Sequence, residues 1–442
     1  MASTIILFVF AALSAGSYGG GTINGMLAAL TAWRFLLGIG IGYVPRAFID
    51  PMILKEMLIM LIRGEYPAGS VACAESTGEL KEGHRNRWFI MFTNVQIDFG
   101  FVASTLAAMI VVLACGENHL RAAWRIILGL GVIPPLSLIY LRAKLNEPEE
   151  FNRESMRNTR TPWLLVLKYV TSIPPLSSIG FRSNILHRRF YWFRLFIVSL
   201  IWFIYDFSAY SFSIYSSAWI SVILGEEAPI WKSFGWNTIV YAFYLPGAIS
   251  GAFISDWIGP KNALTIFVFM QGCVGFIMAG CYALLKTKDH VAGFIVVYGI
   301  FLSLGEAGPG DNIGLIASKT SATAIRGQYY AIAAASGKIG AFVGTYVFPV
   351  IQKNAPGGEE STRGGQDPFF VSSSLCILSA IIAFSFLPKI GQDTITAEDR
   401  KFRAYLERNG WDTRQLGVQG YQGRRESAVD GKRSESEEGV KV

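Results

Sequence analysis

Two ionisable residues lie far inside apolar stretches of this sequence. Lys338 is the one charged residue between Tyr330 and Val350, and Asp206 lies deep within the stretch from Trp192 to Ile220. A charge at such a position costs about 2.5–3.5 kcal/mol to insert into lipid, so it is rare unless a solute or a proton uses it. One basic and one acidic group of this kind predict a carrier for an anion.

The elements that hold these residues are apolar helices. The chain has 442 residues, of which 52% are hydrophobic and only 16% are charged. Soluble domains have nearer a quarter charged residues. Nearly uncharged runs of about 20 residues recur, and this length crosses roughly 30 Å of hydrocarbon. We therefore predict an all-α, polytopic membrane protein with ten spans, near residues 3–20, 25–42 (resuming at 64–76), 88–115, 123–142, 192–220, 234–255, 264–285, 291–316, 328–351 and 369–388.

Lysine and arginine are concentrated in alternate connections between these spans. Connections on the cytoplasmic side of membrane proteins carry an excess of these residues. We therefore predict that the C-terminus is cytoplasmic, together with these basic segments: Lys81–Arg87, Arg142–Arg160, the surroundings of Lys261, Lys319–Arg326 and the tail after Lys389. Within the polar tail, residues 391–442, we predict a short amphipathic helix over Ala397–Arg408 that ends at Asn409-Gly410, followed by a disordered segment.

The remaining residue types disfavour other kinds of site. The five cysteines lie in or beside spans without C-x-x-C spacing, so neither a disulfide framework nor a zinc site is expected. The four histidines lie outside the spans, which leaves carboxylates to carry protons across the membrane. The sequence contains no GxxxxGK[ST] loop, which argues against ATP-driven transport. The sequence predicts no enzyme activity, no cofactor and no nucleic-acid partner; its expected partners are a small anion, protons and the bilayer.

Several motifs resemble those of a known transporter family. The strings GIGIG and GEYPAGS, the segment GAFISDWIGPKNA (251–263) and SGKIGAF (336–342) resemble the phosphate:proton symporter branch of the major facilitator superfamily. The strings GEYPAGSVACAE, WFIYDFSAYSF and GPGDNIGLIASKT are more similar to the fungal glycerophosphodiester permeases within that branch. The resemblance implies the major facilitator fold, residence in the plasma membrane, and proton-coupled uptake of glycerophosphoinositol or glycerophosphocholine.

The domain organisation departs from that family, which has two six-span halves. Here we predict an incomplete N-terminal bundle (1–142), a cytoplasmic central loop (143–191), a six-helix C-terminal bundle (192–390) and the tail (391–442), so about ten of the usual twelve helices. The chain begins where the third span of the family would begin.

Two segments interrupt the family pattern. Residues 43–63 and 169–189 are each 21 residues long, begin with Tyr-Val and end with Arg. Because these ends can encode a splice donor and acceptor, we hypothesise that both segments are translated introns. Natural loop insertions are the alternative, and the sequence of the mature transcript distinguishes the two.

The face around Asp206 suits proton coupling. Trp202, Asp206 and Tyr210 are spaced i, i+4 and i+8, so they share one side of a helix. The family pattern W-F-x-x-D matches residues 202–206, which implies that Asp206 couples protons. We predict that Trp202 and Tyr210, on the same helix face, contact substrate. The alternative is a carboxylate that joins two helices through a buried salt bridge.

Further roles follow from the resemblance, residue by residue. Lys338 matches the substrate lysine of S-G-K-x-G-A, with an interfacial lysine as the alternative. Tyr66 and Gln96 match substrate-binding positions, and Glu65 matches a proton-coupling acid. For Gln96 a hydrogen bond between helices is the alternative role.

The segment GPGDN (308–312) argues for a phosphodiester over inorganic phosphate. In the phosphate branch an asparagine follows G-P, whereas here Gly310 takes its place and Asp311 and Asn312 come next. An added acid disfavours a doubly charged phosphate and suits the hydroxyl groups of a singly charged phosphodiester. We predict that Asn312 binds substrate and that Asp311 and Glu306 relay protons. Asp256 and Lys261 belong to the motif of the cytoplasmic gating loop.

Two other functions remain open from the sequence. One is a proton symporter for inorganic phosphate, a polyol or a sugar. The other, of a different class, is a non-transporting membrane sensor or an inactive truncated product.

Overall fold

The computed structural model describes residues 2–42, 65–142, 163–171, 191–225, 228–287, 290–359 and 361–417, together with residues 144, 152 and 154. Within these ranges every regular element is a helix, as predicted. Eight helical segments are long and apolar enough to cross a membrane, and two shorter apolar helices cover Thr4–Ala15 and Ile23–Gly38. Together they correspond to the ten predicted spans.

Among the described residues, seven α-helices precede the predicted central loop and are called the first bundle here, and one α-helix lies within the predicted loop. The first bundle contains α1 (Ala2–Ala15), α2 (Ile23–Gly42), α3 (Glu65–Gly78), α4 (Arg85–Phe92), α5 (Asn94–Cys115), α6 (Leu120–Leu130) and α7 (Ile133–Arg142), and the loop contains α8 (Trp163–Thr171). Residues 43–64 and 172–190, which include most of both suspected introns, lie outside the described residues. The first three residues of the second insert form the end of α8.

The second bundle holds the longest helices. It contains α9 (Tyr191–Leu224), α10 (Ile230–Ala242), α11 (Tyr244–Ile258), α12 (Pro260–Leu285), α13 (Val291–Gly305), a π-helical turn (Glu306–Gly310), α14 (Asp311–Lys319), α15 (Thr323–Asn354) and α16 (Thr362–Phe386). The tail helix α17 (Thr394–Arg408) follows. The predicted tail helix is confirmed: it ends at Arg408, and Asn409 and Gly410 follow, the latter with a φ of 76° that favours glycine.

Local residues set the ends of these helices more sharply than hydropathy does. For example, α16 begins at Thr362, seven residues before the predicted span, because the Ser361 hydroxyl caps it by accepting a hydrogen bond from the Gly364 amide at 2.9 Å. Helix α12 begins with Pro260 directly after Gly259, at φ 86°. Proline is tolerated in a first helical turn, where its missing N–H would have no partner.

Small residues bring α15 against α9. A Cβ atom added to Gly340 would lie 2.9 Å from the Phe203 carbonyl carbon, and one added to Gly344 would lie 2.7 Å from the Ser211 hydroxyl. Such distances leave no room for a side chain, so the two backbones touch through glycine, as is common between membrane helices. This contact positions residues in the middle of both helices.

The helix that carries GPGDN contains a π-helical turn. This turn includes Pro309 and joins α13 to α14 within one continuous helical span, Val291–Lys319. The Asn312 side chain donates hydrogen bonds to the carbonyls of Gly308 (2.9 Å) and Ala307 (3.3 Å), so it satisfies backbone acceptors in the turn. The turn packs on α11, where a Cβ on Gly251 would lie 2.6 Å from the Ala307 Cα.

Candidate functional site

The two predicted charges meet in the middle of the second bundle. The Lys338 ammonium lies 3.2 Å from Asp206 Oδ2, and it also donates a hydrogen bond to the Tyr210 hydroxyl. The same nitrogen lies 4.1 Å from the centre of the Tyr210 ring, a distance at which a cation is attracted to an aromatic face. One helix face therefore supplies both a carboxylate and a ring to one ammonium group.

The depth of this pair follows from the lengths of its helices. Asp206 and Lys338 each lie about 15 residues from the first residue of α9 and α15, which is roughly 22 Å along a helix. Gly337 allows the approach, because a Cβ atom there would lie 2.8 Å from Trp202 Nε1 and 2.9 Å from Asp206 Oδ2. The pair therefore lies near the middle of the predicted spans.

The two members of the pair differ in exposure. The Asp206 side chain is 4% exposed, whereas that of Lys338 is 49% exposed. The buried carboxylate is held against Trp202, whereas the ammonium is not enclosed by the described residues. An arrangement of this kind can exchange partners, because an anion can approach Lys338 while Asp206 remains in place.

A second polar cluster joins the two bundles at a similar depth. The side-chain amide of Asn94, on α5, donates hydrogen bonds of 2.9 Å to both Glu306 Oε2 and Asp311 Oδ1. Tyr205, on α9, donates to Glu306 Oε1 at 3.0 Å. The predicted proton-relay acids thus lie together, and an amide from the first bundle bridges them.

Asp98 faces this cluster from the same side as Asn94. Its side chain is 1% exposed, it acts electrostatically on both Glu306 and Asp311, and its Oδ2 atom has no hydrogen-bond partner among the described residues. Three carboxyl groups therefore share a site from which water is excluded.

Two other predicted substrate residues, Asn312 and Gln96, are not brought to the ion pair. Asn312 is fully buried, and its amide oxygen accepts a hydrogen bond from the Ser255 hydroxyl at 2.7 Å. Its amide nitrogen donates to the Gly308 carbonyl, so in this conformation the side chain stabilises the π-helical turn. Gln96 is exposed on α5 and donates to the Met91 carbonyl at 3.3 Å. The backbone of Glu65 and Tyr66 begins α3, but their side chains lie outside the described residues.

This chain resembles known transporters in both sequence and fold. The sequence matches the family described as "Sugar (and other) transporter" over residues 1–402. The chain belongs to this family. Its fold is that of the major facilitator superfamily: a solved structure of the proton:xylose symporter XylE, a member of that superfamily, matches with a TM-score of 0.65 at 15% identity, covering 91% of this chain and 82% of that one.

Two fungal relatives are much more similar in sequence. The major glycerophosphoinositol permease GIT3 of Candida albicans is 46% identical over 426 residues, which cover 95% of this chain and 71% of that protein. The glycerophosphocholine permease GIT4 of the same organism is 45% identical, with the same coverage. The resemblance to fungal glycerophosphodiester permeases, expected from the motifs, is confirmed, and the chain is a multi-pass transporter, not an enzyme.

At one end of this transporter, basic residues connect the bundles. We call it the basic end. Arg326 of α15 forms an ion pair of 3.0 Å with Glu75 of α3, and both side chains are buried. Lys319 of α14 donates to Asn86 Oδ1 of α4 at 2.6 Å. These contacts cross from one bundle to the other, so the bundles are joined at this end in the present conformation.

The two predicted gating residues have different neighbours. Asp256 of α11 accepts a hydrogen bond from the backbone N–H of Asn86 at 3.2 Å, and its Oδ2 atom lies 3.6 Å from Arg87 Nε. It therefore contacts the other bundle. Lys261 instead donates to the carbonyls of Phe384 (2.8 Å) and Leu387 (2.7 Å) at the end of α16. These contacts satisfy the last carbonyls of a helix in its own bundle.

The tail helix α17 is attached to the basic end by two adjacent acids. Glu398 lies 3.2 Å from Arg194 and 2.7 Å from Lys401. Burial alone would raise the pKa of Glu398, but Arg194, Lys401 and Tyr191 together lower it below its ordinary value. Asp399 accepts from the amide (2.6 Å) and hydroxyl (2.8 Å) of Thr323, and burial raises its pKa.

Sequence reasoning missed Asn94, Tyr205, Glu75 and Arg326 as parts of these sites. Asn94 carried a usable signal, since an amide four residues before Asp98 shares its helix face. Arg326 was recognised only as part of a basic loop, because nothing near it in the sequence indicates that it meets an acid 251 positions away.

Proposed function

We propose that this transporter is a proton-coupled permease that imports a glycerophosphodiester, such as glycerophosphoinositol or glycerophosphocholine. The observation that carries the proposal is the Asp206–Lys338 pair, in which a half-exposed ammonium stands beside a buried carboxylate in mid-membrane. The names of the two Candida relatives support the substrate class, and the match to a proton symporter supports the fold that such coupling uses.

In the proposed mechanism, Asp206 takes up a proton and its attraction for Lys338 falls. Lys338 then binds the phosphodiester anion, while Tyr210 and Trp202 line the same face. The bundles rock about this site and expose it to the other side, as in other carriers with a site at the membrane midplane. Moving one charge through the membrane potential involves about 2.3 kcal/mol per 100 mV. A glycerophosphodiester with a net charge of minus one therefore needs more than one proton to enter with the field, whereas the zwitterion glycerophosphocholine needs only one.

We further propose that the basic end is cytoplasmic and that the membrane is the plasma membrane. The excess of lysine and arginine at this end supports the orientation. In that orientation the present conformation is closed toward the cytoplasm, because the Arg326–Glu75 and Arg87–Asp256 contacts join the bundles there.

Uptake of labelled glycerophosphocholine and glycerophosphoinositol into proteoliposomes with an inward proton gradient tests the proposal. We expect uptake that a protonophore abolishes and that Lys338→Met removes. Lys353→Met is the matched control, since Lys353 lies in the last turn of the same helix and is exposed. It should leave uptake unchanged.

Competition experiments distinguish the substrate classes. Unlabelled glycerophosphodiesters should inhibit uptake far more strongly than inorganic phosphate or free inositol. Full inhibition by phosphate at the same concentration would identify a phosphate symporter instead. Normal uptake by Lys338→Met would remove the basis of the proposal.

A further inference from the structure

The cluster around Asn94 has no role in the ion-pair mechanism, although it lies at the contact between the bundles. Asn94 and Asp98 come from α5 of the first bundle. Glu306 comes from the π-helical turn of the second bundle, and Asp311 begins α14, the helix that follows it. One neutral amide therefore bridges two carboxyl groups across the interface that must rearrange during transport.

The electrostatic surroundings of these acids are unfavourable to ionisation. The titratable groups that act on Glu306 are Tyr205 and Asp206 from α9, Tyr244 from α11, and Asp98 and Asp311. Helix α12 contributes the neutral Gln271 beside Gly305. Among the described residues, no cation acts on Glu306 or Asp311. Ionisation of all three carboxyl groups would therefore place several buried negative charges at this site without a counter-ion, which is strongly unfavourable inside a membrane.

The hydrogen-bond pattern also favours protonated carboxyl groups in this cluster. Asp98 Oδ2 and Asp311 Oδ2 are buried and have no partner among the described residues. A carboxylate can only accept hydrogen bonds, whereas a protonated carboxyl group can also donate one. Asp98 is a buried side chain of the first bundle with no hydrogen-bond partner among the described residues, so a proton there removes a buried charge that would otherwise be unsatisfied.

We propose that Asp98, Glu306 and Asp311 form a second proton-binding site, which holds the bundles together through Asn94 when protonated and releases them when deprotonated. This inference deepens the proposed function, because it adds a proton site to the same carrier. Each carboxylate binds one proton from the aqueous phase and returns it, and no other bond changes. The two proton sites are connected through α9, because Tyr205, which precedes Asp206, donates a hydrogen bond to Glu306.

The test measures conformation without any substrate. The full chain, without its native cysteines, is placed in lipid nanodiscs with spin labels at positions Leu80 and Trp257, which are exposed at the basic end of the two bundles. Their distance distribution is measured from mildly acidic to mildly alkaline pH. We expect a single short distance at acidic pH and a growing long-distance population as the pH rises.

The variants assign this response to the cluster. In the double variant Asp98→Asn with Glu306→Gln, the ratio of open to closed populations at alkaline pH should fall about tenfold. Asn94→Leu should lower the closed population at acidic pH. Asn237→Leu is the control, because it removes a buried amide that connects α9 and α10 within one bundle, and it should leave the pH response unchanged.

A pH-independent distance distribution in the unmodified protein would overturn the inference, and so would an unchanged response in the double variant. The double variant removes charge without removing volume, so it tests the inference even where Asn94→Leu does not fold. A normal pH response combined with no phosphodiester uptake would contradict the proposed substrate alone. Normal uptake without a pH response would contradict the cluster alone.

Discussion

Two long-range ion pairs in this transporter have similar chemistry and opposite accessibility. Arg326 and Glu75 are 0% and 3% exposed, while Lys338 and Asp206 are 49% and 4% exposed. The first pair connects the bundles at the basic end, and the second lies within one bundle at mid-membrane. In both pairs the acid is buried, so the difference lies in the cation.

This difference separates a structural contact from an exchangeable one. The Arg326 guanidinium is buried and also donates a hydrogen bond to the Thr323 hydroxyl at 2.8 Å. Separation of the guanidinium from Glu75 would therefore leave a buried charge without its counter-ion. Lysine is a point charge on a flexible chain, and Lys338 is half exposed, so it can turn toward a solute. The two pairs thus differ in the exposure of the cation, and this difference supports the proposed role of Lys338 in binding substrate.

The largest effect is expected where both charges are buried. Arg326→Met should lower the free energy of unfolding by about 3–5 kcal/mol, because it removes one member of a buried ion pair. The thermal unfolding of the purified protein measures this, with Lys338→Met as the comparison. Lys338→Met should cost less, since the half-exposed pair is partly screened by solvent.

A double variant sharpens this prediction. Adding Glu75→Gln to Arg326→Met removes both charges and should recover much of the lost stability. Equal losses for Arg326→Met and Lys338→Met would show that burial does not distinguish the two pairs.

A smaller effect is expected from crowding the exchangeable pair. Gly337→Ala places a Cβ atom 2.8 Å from Trp202 Nε1, which should cost about 1–3 kcal/mol by overpacking. Because the added atom also lies 2.9 Å from Asp206 Oδ2, it should reduce uptake through Lys338 more than it reduces thermal stability.

The same helix offers a matched control. Gly327 has no atom within 4 Å of an added Cβ, so Gly327→Ala should be neutral or stabilising by about 0.5–1 kcal/mol. A loss of stability as large as that of Gly337→Ala would mean that glycine flexibility, rather than close packing, matters in α15.

The smallest effect concerns a third ion pair, between Arg194 and Glu398, which attaches the tail helix. Because the folded pKa of Glu398 is lowered, its stabilising contribution is present above the ordinary value of 4.5 and is lost as the pH falls through the folded pKa. Glu398→Gln should therefore flatten the acid side of the curve of thermal stability against pH.

The neighbouring acid should respond with the opposite sign. The folded pKa of Asp399 is raised above 3.8, so its contribution is present below that value and is lost as the pH rises through the folded pKa. Asp399→Asn should remove the loss of thermal stability that Asp399 causes as the pH rises. Identical changes in both variants would contradict the assigned directions.

The amino-acid order alone is enough to locate the membrane helices, the tail helix and the residues Asp206 and Lys338. Hydropathy, charge and capping are properties of neighbouring residues, so short stretches of sequence carry them. The spacing of Trp202, Asp206 and Tyr210 on one helix face is equally local, and the continuous helix α9 retains it.

Only the packing of the helices decides which acids receive a counter-charge. Asp206 meets Lys338 because glycines let α15 lie against α9, whereas Glu306 meets a neutral amide from the other bundle. Burial and distance between helices depend on contacts across more than a hundred residues, which no local pattern encodes.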